Sequence, residues 1–241
     1  MMLEPTRESH GDEAWPPWGV WGTLLGIFTA ANLWLLTTML LAMTLDQGDV
    51  FEAPLLIRYL VVFLFQAVLI VVAIAAAVLS GGGPAALGLR RYATRAIVEA
   101  VLIGVALVGL NYLYGLLLAQ LSPDGYAQMA LEQEAQLRLL AAPWPLLLVA
   151  AVVLAPLGEE LFFRGFVYGG LRTRLGFGVA SGLSAALFAV VHFMPWSVPP
   201  LFFVGLATAA AYERHRSLAA CLMVHASFNL VSLTLEWIAA A

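Results

Sequence analysis

Long apolar runs separated by short turn-forming segments dominate the pattern of hydrophobic and polar positions along this chain. Runs of roughly 20 mostly apolar residues are long enough to cross about 30 Å of hydrocarbon as helices. The predicted spans cover residues 20–45, 55–79, 96–121, 145–171, 177–193, 201–212 and 218–238. Their separators include the segments 80–84 and 195–200, which are rich in glycine or proline and stop helices. The pattern predicts an all-α fold, a polytopic transmembrane helical bundle of about seven membrane segments.

Composition predicts a single membrane domain. Of the 241 residues, 62% are hydrophobic and 11% are charged, and a soluble domain of this length could not bury that much apolar surface. We expect residues 1–17 to form a short acidic tail and residues 18–241 to form one integral membrane domain in the lipid bilayer. A formal net charge of −4 without a long basic stretch argues against a nucleic-acid partner.

Arginines accumulate in alternate connections between the predicted spans, which indicates an orientation. These arginines are Arg90, Arg91, Arg95, Arg172, Arg174, Arg214 and Arg216. The opposite connections hold only Arg58 and Arg138. Because basic loops tend to stay in the cytoplasm, the N-terminus is predicted to be cytoplasmic. The acidic start does not match the positive n-region of a cleaved signal peptide, so we expect the first span to be retained.

The segment 126–140, between the third and fourth spans, mixes apolar and acidic residues. It could be a solvated connector. Alternatively, it could be a helix that lies at the outer interface and covers a site.

The fourth predicted span contains three ionisable residues, Glu159, Glu160 and Arg164. An ionisable group near the bilayer centre costs at least ~2.5 kcal/mol on insertion scales, so such groups usually face the bundle interior and are functional or paired. Glu160 and Arg164 are four residues apart, which places them within ion-pairing reach on one helical face. Glu159 lies about 100° around the helix from Glu160, so we expect it to be the carboxylate that is free for chemistry.

Three more polar residues, His192, His225 and Asn229, fall within later predicted spans. Asn229 follows His225 by one helical turn, so both lie on one face. At ~1.5 Å per helical residue, these groups and Glu159 lie roughly 14–24 Å from the arginine-bearing helix ends. We therefore expect the four residues to share one layer around an intramembrane polar cavity, beside a proline-rich turn sunk among the helices.

Such a set of side chains suits hydrolysis of a peptide bond by an activated water. A buried carboxylate or imidazole can accept the proton of the water, and N–H groups of His225 and Asn229 can stabilise an oxyanion. The serines of these spans lack the GxSxG context of a nucleophile. Small serines in membrane helices usually make packing contacts. The alternative from the same residues is a small transporter or scaffold that uses them as a proton relay or to join helices.

Three motifs resemble those of the CAAX protease and bacteriocin-processing family. Residues 158–165 read GEELFFRG, residues 188–192 read FAVVH and residues 225–229 read HASFN. They are similar to the EExxxR, FxxxH and HxxxN motifs of that family, in the same order. The resemblance covers residues 145–237, and the first three spans match the family only in being hydrophobic.

The resemblance implies an intramembrane endopeptidase that cleaves near the C-terminus of a membrane-associated or lipidated protein or peptide, from a cavity open towards the cytoplasm. It implies that Glu159 and His192 orient and deprotonate the water and that His225 and Asn229 stabilise the oxyanion. Glu160 and Arg164 would then support the site, and Phe188 would be a packing residue one turn before His192.

The resemblance leaves the cofactor and the substrate open. Zinc held by Glu159, His192 and His225 is one alternative, although the chain has no HExxH spacing, and an asparagine in fourth place suits a hydrogen-bond donor better than a ligand. Prenylated and bacteriocin-like peptides are both candidate substrates. A family member can also be a non-catalytic immunity factor. We expect the chain to reside in a bacterial inner membrane.

Overall fold

A computed structural model describes residues 15–44, 53–90, 94–139 and 143–240. The helices in these ranges are α1 (Gly19–Thr44), α2 (Leu55–Leu79), α3 (Gly83–Ala86), α4 (Thr94–Leu121), α5 (Pro123–Leu139), α6 (Trp144–Arg172), α7 (Phe177–Val190), α8 (Val198–His215) and α9 (Leu218–Ala240). No strand occurs in these ranges. The predicted all-α class is confirmed. Most of the predicted acidic tail, residues 1–14, lies outside the described residues.

The polytopic bundle is confirmed, but the expected count of about seven spans is not. Five helices of the described chain are long and apolar enough to cross a membrane, namely α1, α2, α4, α6 and α9. The apolar helix α7 has 14 residues, which at ~1.5 Å per residue is shorter than the hydrocarbon core. Helix α8 is more polar because it ends in Glu213, Arg214 and His215.

Two predicted boundaries near the proline-rich turn are corrected. Helix α7 ends at Val190 rather than at Phe193, because Phe193 adopts a left-handed φ of 54° that breaks a right-handed helix. Helix α8 begins at Val198 rather than at Leu201. Prolines at positions 199 and 200 fit its first turn, because that turn requires no N–H donor.

Helix α6 is the central element of the bundle. Half of the residues in its most apolar stretch are buried (50%), compared with 6% of those in the corresponding stretch of α1. It contains two π-helical stretches, Val149–Leu154 and Leu161–Tyr168. Every residue from 158 to 171 is buried, and this stretch packs with α2, α7, α8 and α9.

The two ends of the bundle differ in charge. At the end where α6 and α8 finish, Arg172 pairs with Glu213 at 2.9 Å, and Arg216 lies 3.3 Å from the centre of a Trp15 ring. Helix α5 lies at the other end, where Trp144 and Trp237 stack with ring centres 5.7 Å apart. Arg91 and the side chain of Arg95 lie outside the described part.

Candidate active site

A cavity of about 280 Å³ lies inside the bundle. Its wall includes all four residues predicted to be catalytic, Glu159, His192, His225 and Asn229. Helices α2, α5, α6, α8 and α9 and the end of α7 contribute to the wall. A cavity larger than the ~30 Å³ of one water, lined by several polar groups, is suited to hold ordered water. The structure therefore brings the predicted side chains together.

Glu159 is the carboxylate that faces this cavity. Its residue is 8% exposed, and Gln66 Nε2 donates a hydrogen bond to its Oε1 at 3.2 Å. Its Oε2 lies 3.8 Å from His225 Nε2. One oxygen is thus held from the side of α2, while the other faces an imidazole.

Glu160 lies behind the cavity and joins two of the other site residues. It is fully buried (0% exposed). Its Oε1 lies 2.7 Å from His225 Nδ1, and its Oε2 lies 3.1 Å from Arg164 Nε. Because a carboxylate only accepts, His225 Nδ1 carries the hydrogen in this contact.

Arg164 is buried with its charge compensated on several sides. Besides the ion pair with Glu160, its Nη2 donates to the carbonyl of Gly205 at 3.3 Å. Its guanidinium carbon lies 4.5 Å from the centre of the Phe188 ring. Removing one partner of a buried ion pair usually costs 3–5 kcal/mol, so this group fixes the position of Glu160.

Phe188 contacts both histidines. Its ring centre is 4.8 Å from that of His192 and 5.7 Å from that of His225, both in edge-on arrangements. The side chain is 1% exposed. It thus lies between the two imidazoles and the guanidinium of Arg164 and holds their spacing.

His192 lies in the turn just after α7, next to the left-handed Phe193. Its Nδ1 is 2.7 Å from the carbonyl oxygen of Phe188. A carbonyl only accepts, so Nδ1 must carry the hydrogen, and in the neutral ring Nε2 is then an acceptor. His192 is therefore held in the form that can accept a hydrogen bond or a proton from water in the cavity.

Asn229 is oriented by the backbone of α6. Its Nδ2 donates to the carbonyl of Ala151 at 2.7 Å. Ala151 belongs to the first π-helical stretch, where the altered helical bonding makes carbonyls available to side chains, as is frequent at functional sites. The second N–H of Asn229 is left for the cavity.

The three candidate zinc ligands line the same cavity, but they are not arranged as a metal site. Among the described residues, no group of three His, Cys, Asp or Glu side chains is arranged to hold a metal ion. The Nδ1 atom of His225 is bonded to Glu160. Only its Nε2, which lies 3.8 Å from Glu159 Oε2, faces the other candidate ligands.

Sequence reasoning missed Gln66. It is a lone polar residue in the apolar run of α2, is 6% exposed, and bonds to Glu159. An isolated amide inside a span is a signal, because such groups are costly in lipid and tend to bond across helices. Gly158 makes room for it, since a Cβ at position 158 would lie 2.2 Å from Gln66 Oε1.

The cavity reaches from Glu159 towards α5, where Gln136 lines it. Towards the arginine-bearing end, the buried residues 161–171 fill the space, including Phe163, Phe166 and Tyr168. Two sequence-based expectations therefore conflict. If the arginine-bearing end is cytoplasmic, the cavity extends away from the cytoplasm rather than towards it.

Similarity to a known protein family is found in the second half of the chain. Residues 141–231 match the family model described as Type II CAAX prenyl endopeptidase Rce1-like. The chain is also similar to the UPF0177 protein YxdF of Lactococcus lactis subsp. lactis (strain IL1403), with 30% identity over 79 residues. That alignment covers 32% of this chain and 43% of the relative, so less than half of the relative's length is matched. No solved structure matches the chain.

The matched residues contain all three motifs and most of the cavity wall. Helices α2 and α5, which complete the wall with Gln66 and Gln136, lie outside them.

Proposed function

We propose that this chain, which over residues 141–231 matches the family model described as Type II CAAX prenyl endopeptidase Rce1-like, is an intramembrane endopeptidase. It cleaves a peptide bond near the C-terminus of a membrane-associated or lipidated protein or peptide by means of an activated water. The observation that carries the proposal is that Glu159 and His192 present acceptor atoms to one cavity in which His225 and Asn229 also lie.

The water is held between the carboxylate of Glu159 and Nε2 of His192. Glu159 takes a proton from the water as the oxygen attacks the carbonyl carbon of the substrate. The same proton then passes to the nitrogen of the leaving peptide as the C–N bond breaks. General acid–base catalysis of this kind is worth typically 10²–10⁴-fold in rate.

The negative charge that develops on the substrate oxygen is stabilised by N–H groups. Asn229 supplies its second N–H, and His225 supplies Nε2–H when its ring is doubly protonated, because Nδ1–H is used by Glu160. Removing one oxyanion donor typically costs about 10²–10³ in kcat.

Glu160 and Arg164, which are absent from the cavity wall, position these groups, and Phe188 packs against both histidines. Apolar wall residues such as Val62, Phe65 and Phe228 give the cavity a surface that suits an apolar or lipidated segment. Prenylated and bacteriocin-like peptides are both within this class. The chain works in a bacterial inner membrane, with metal-independent glutamate chemistry.

The test is cleavage of an isoprenylated CAAX peptide by the purified, detergent-solubilised chain. The wild type should cleave it and Glu159→Gln should not. Glu134→Gln is the matched control, because it makes the same change at a carboxylate whose side chain is 55% exposed on α5. Equal cleavage by wild type and Glu159→Gln would remove Glu159 as the base.

A zinc chelator is added in a parallel reaction. Loss of wild-type cleavage on chelation would replace glutamate chemistry by a metal mechanism. If the wild type binds the peptide but does not cleave it, the result would favour a non-catalytic immunity or scaffold role.

A further inference from the structure

A second, smaller cavity of about 140 Å³ adjoins the catalytic cavity on the side of α5. The two share five wall residues, among them Gln136, Phe228 and Asn229. Since Asn229 belongs to both walls, a peptide bound at the reacting centre can extend directly into the second space.

Polar side chains from three helices line this second cavity. Besides Ser197 and Asn229, they are Asn111 of α4, Gln133 and Gln136 of α5, and Ser232 and Glu236 of α9. We call these last five residues the amide chamber. Ser232 Oγ is buried and has no hydrogen-bond partner among the described residues. The side chains of Asn111 and Gln133 are half-buried, and those of Gln136 and Glu236 are exposed.

A buried hydroxyl without a partner is costly, so Ser232 is suited to bind a polar ligand group. Primary amides offer donors and acceptors at once, as the backbone of a peptide does. The five residues therefore match the hydrogen-bonding needs of a peptide segment rather than those of a lipid chain.

Hydrogen bonds connect α4 and α5 to the turn at residues 195–197 beside the chamber. Glu132 of α5 accepts hydrogen bonds from the N–H groups of Trp196 and Ser197, at 3.1 Å each, and from the hydroxyl of Ser197 at 3.0 Å. Tyr114 of α4 donates to the carbonyl of Trp196 at 2.8 Å. The indole of Trp196 packs so closely on α5 that a Cβ at Gly125 would lie 2.6 Å from it.

These contacts attach α5 to the turn that follows His192. The alternative of a solvated connector is therefore disfavoured for segment 126–140, and α5 is a fixed wall next to the reacting centre.

The charge of the chamber indicates which part of a substrate it accepts. Its wall contains the carboxylate of Glu236 and no arginine, and the chain has no lysine. A carboxylate ligand would therefore meet a like charge without a partner. A free C-terminus of a substrate is disfavoured here, and so is an acidic side chain.

We propose that the amide chamber binds the peptide segment on the N-terminal side of the scissile bond, and that it selects hydrophilic segments that are neutral or basic over acidic ones. This inference rests on the proposed function, because it takes the layer of Glu159 and Asn229 as the point of cleavage. It assigns the apolar part of the catalytic cavity to the lipidated or apolar residue next to that bond.

Binding is measured separately from cleavage by using Glu159→Gln in detergent. The probes are three fluorescently labelled farnesylated CAAX peptides that differ only before the cysteine, with the sequences Gly-Ser-Asn-Ser, Gly-Ser-Lys-Ser and Gly-Ser-Asp-Ser. The Asn and Lys peptides should bind at least ~10-fold more tightly than the Asp peptide, measured by fluorescence anisotropy.

The double variant Gln133→Leu with Gln136→Leu should weaken binding of the Asn peptide about tenfold, because two hydrogen bonds to the peptide are lost. Gln128→Leu is the matched control, since Gln128 is exposed on the same helix and is absent from both cavity walls. Glu236→Gln should reduce the discrimination against the Asp peptide without weakening the Asn peptide.

Equal affinity of the three peptides overturns the inference, as does a double variant that binds like Gln128→Leu. Absence of binding by all three peptides overturns it as well. Selective binding without cleavage by the wild type would count against the proposed function and leave the chamber intact, so the two failures are distinguishable.

Discussion

Replacement of Gly158 by alanine tests whether Gln66 positions the carboxylate of Glu159. In a helix interior, Gly→Ala normally stabilises by about 0.5–1 kcal/mol. Here the new methyl group would lie 2.2 Å from Gln66 Oε1, so the amide of Gln66 must turn away, and we expect its 3.2 Å bond to Glu159 to be lost. A hydrogen bond to a charged group is worth about 1.5–3 kcal/mol. The loss exceeds the gain, and we expect a net destabilisation of about 1–2 kcal/mol.

The effect should change sign when Gln66 is absent. In a Gln66→Ala background the clash is gone, so Gly158→Ala should stabilise by the ordinary ~0.5–1 kcal/mol of helix propensity. Contacting residues typically couple by 0.5–3 kcal/mol in such cycles. Gly109→Ala in α4 is the matched control, because nothing lies within 4 Å of its added Cβ.

Two assays follow the cycle. Thermal unfolding of the four proteins in detergent gives the stability coupling, and peptide cleavage gives kcat. We expect kcat to fall at least ~10-fold in Gly158→Ala and in Gln66→Ala, because misplacing a catalytic group by about 1 Å can cost 10²-fold. If Gly158→Ala stabilises as much as Gly109→Ala and keeps wild-type kcat, the positioning role of Gln66 is wrong.

Two further substitutions distinguish a residue that stabilises the site from one proposed to act on the substrate. Arg164→Met leaves Glu160 buried without its cation and should destabilise by about 3–5 kcal/mol, measured as a lower unfolding temperature in detergent; unchanged stability would contradict the buried pair. Asn229→Ala should lower kcat about 10²–10³-fold with little change in KM, measured with the CAAX peptide; a rise in KM alone would make Asn229 a substrate-binding residue.

Much of this architecture was accessible from the sequence because the determining signals are local. Apolar runs located the membrane helices, with α2 matching its predicted bounds at both ends. The spacing of Glu160 and Arg164 predicted the 3.1 Å ion pair, since residues four apart meet on one helical face. The three motifs lie within the residues that match the family model, and they contain the four side chains that line one cavity.

The missed features depend on contacts between distant helices. The partner of Glu159 is Gln66, 93 residues away, and no spacing rule relates them. From the sequence alone, the polar residues of α5 fit a solvated connector. The structure shows that one of them, Glu132, binds the turn at Trp196. The π-helical stretches of α6 shift the helical phase, so a 3.6-residue period cannot place Ala151 opposite Asn229.

The orientation of the bundle decides from which side a substrate arrives, and cysteine labelling in whole cells measures it. The wild-type chain gives a clean background, because its single Cys221 is fully buried (0% exposed). Gln128→Cys on α5 and Arg174→Cys after α6 report the two ends, and both positions are exposed. With arginines concentrated at the end near Arg174, we expect a membrane-impermeant thiol reagent to label Gln128→Cys in intact cells.

Arg174→Cys should then react only after permeabilisation. In that case the cavity, which extends from Glu159 towards α5, receives its peptide from the side opposite the cytoplasm. The reverse labelling pattern would mean that the arginine bias does not set the orientation, and that substrates enter from the cytoplasm, as the family resemblance implies.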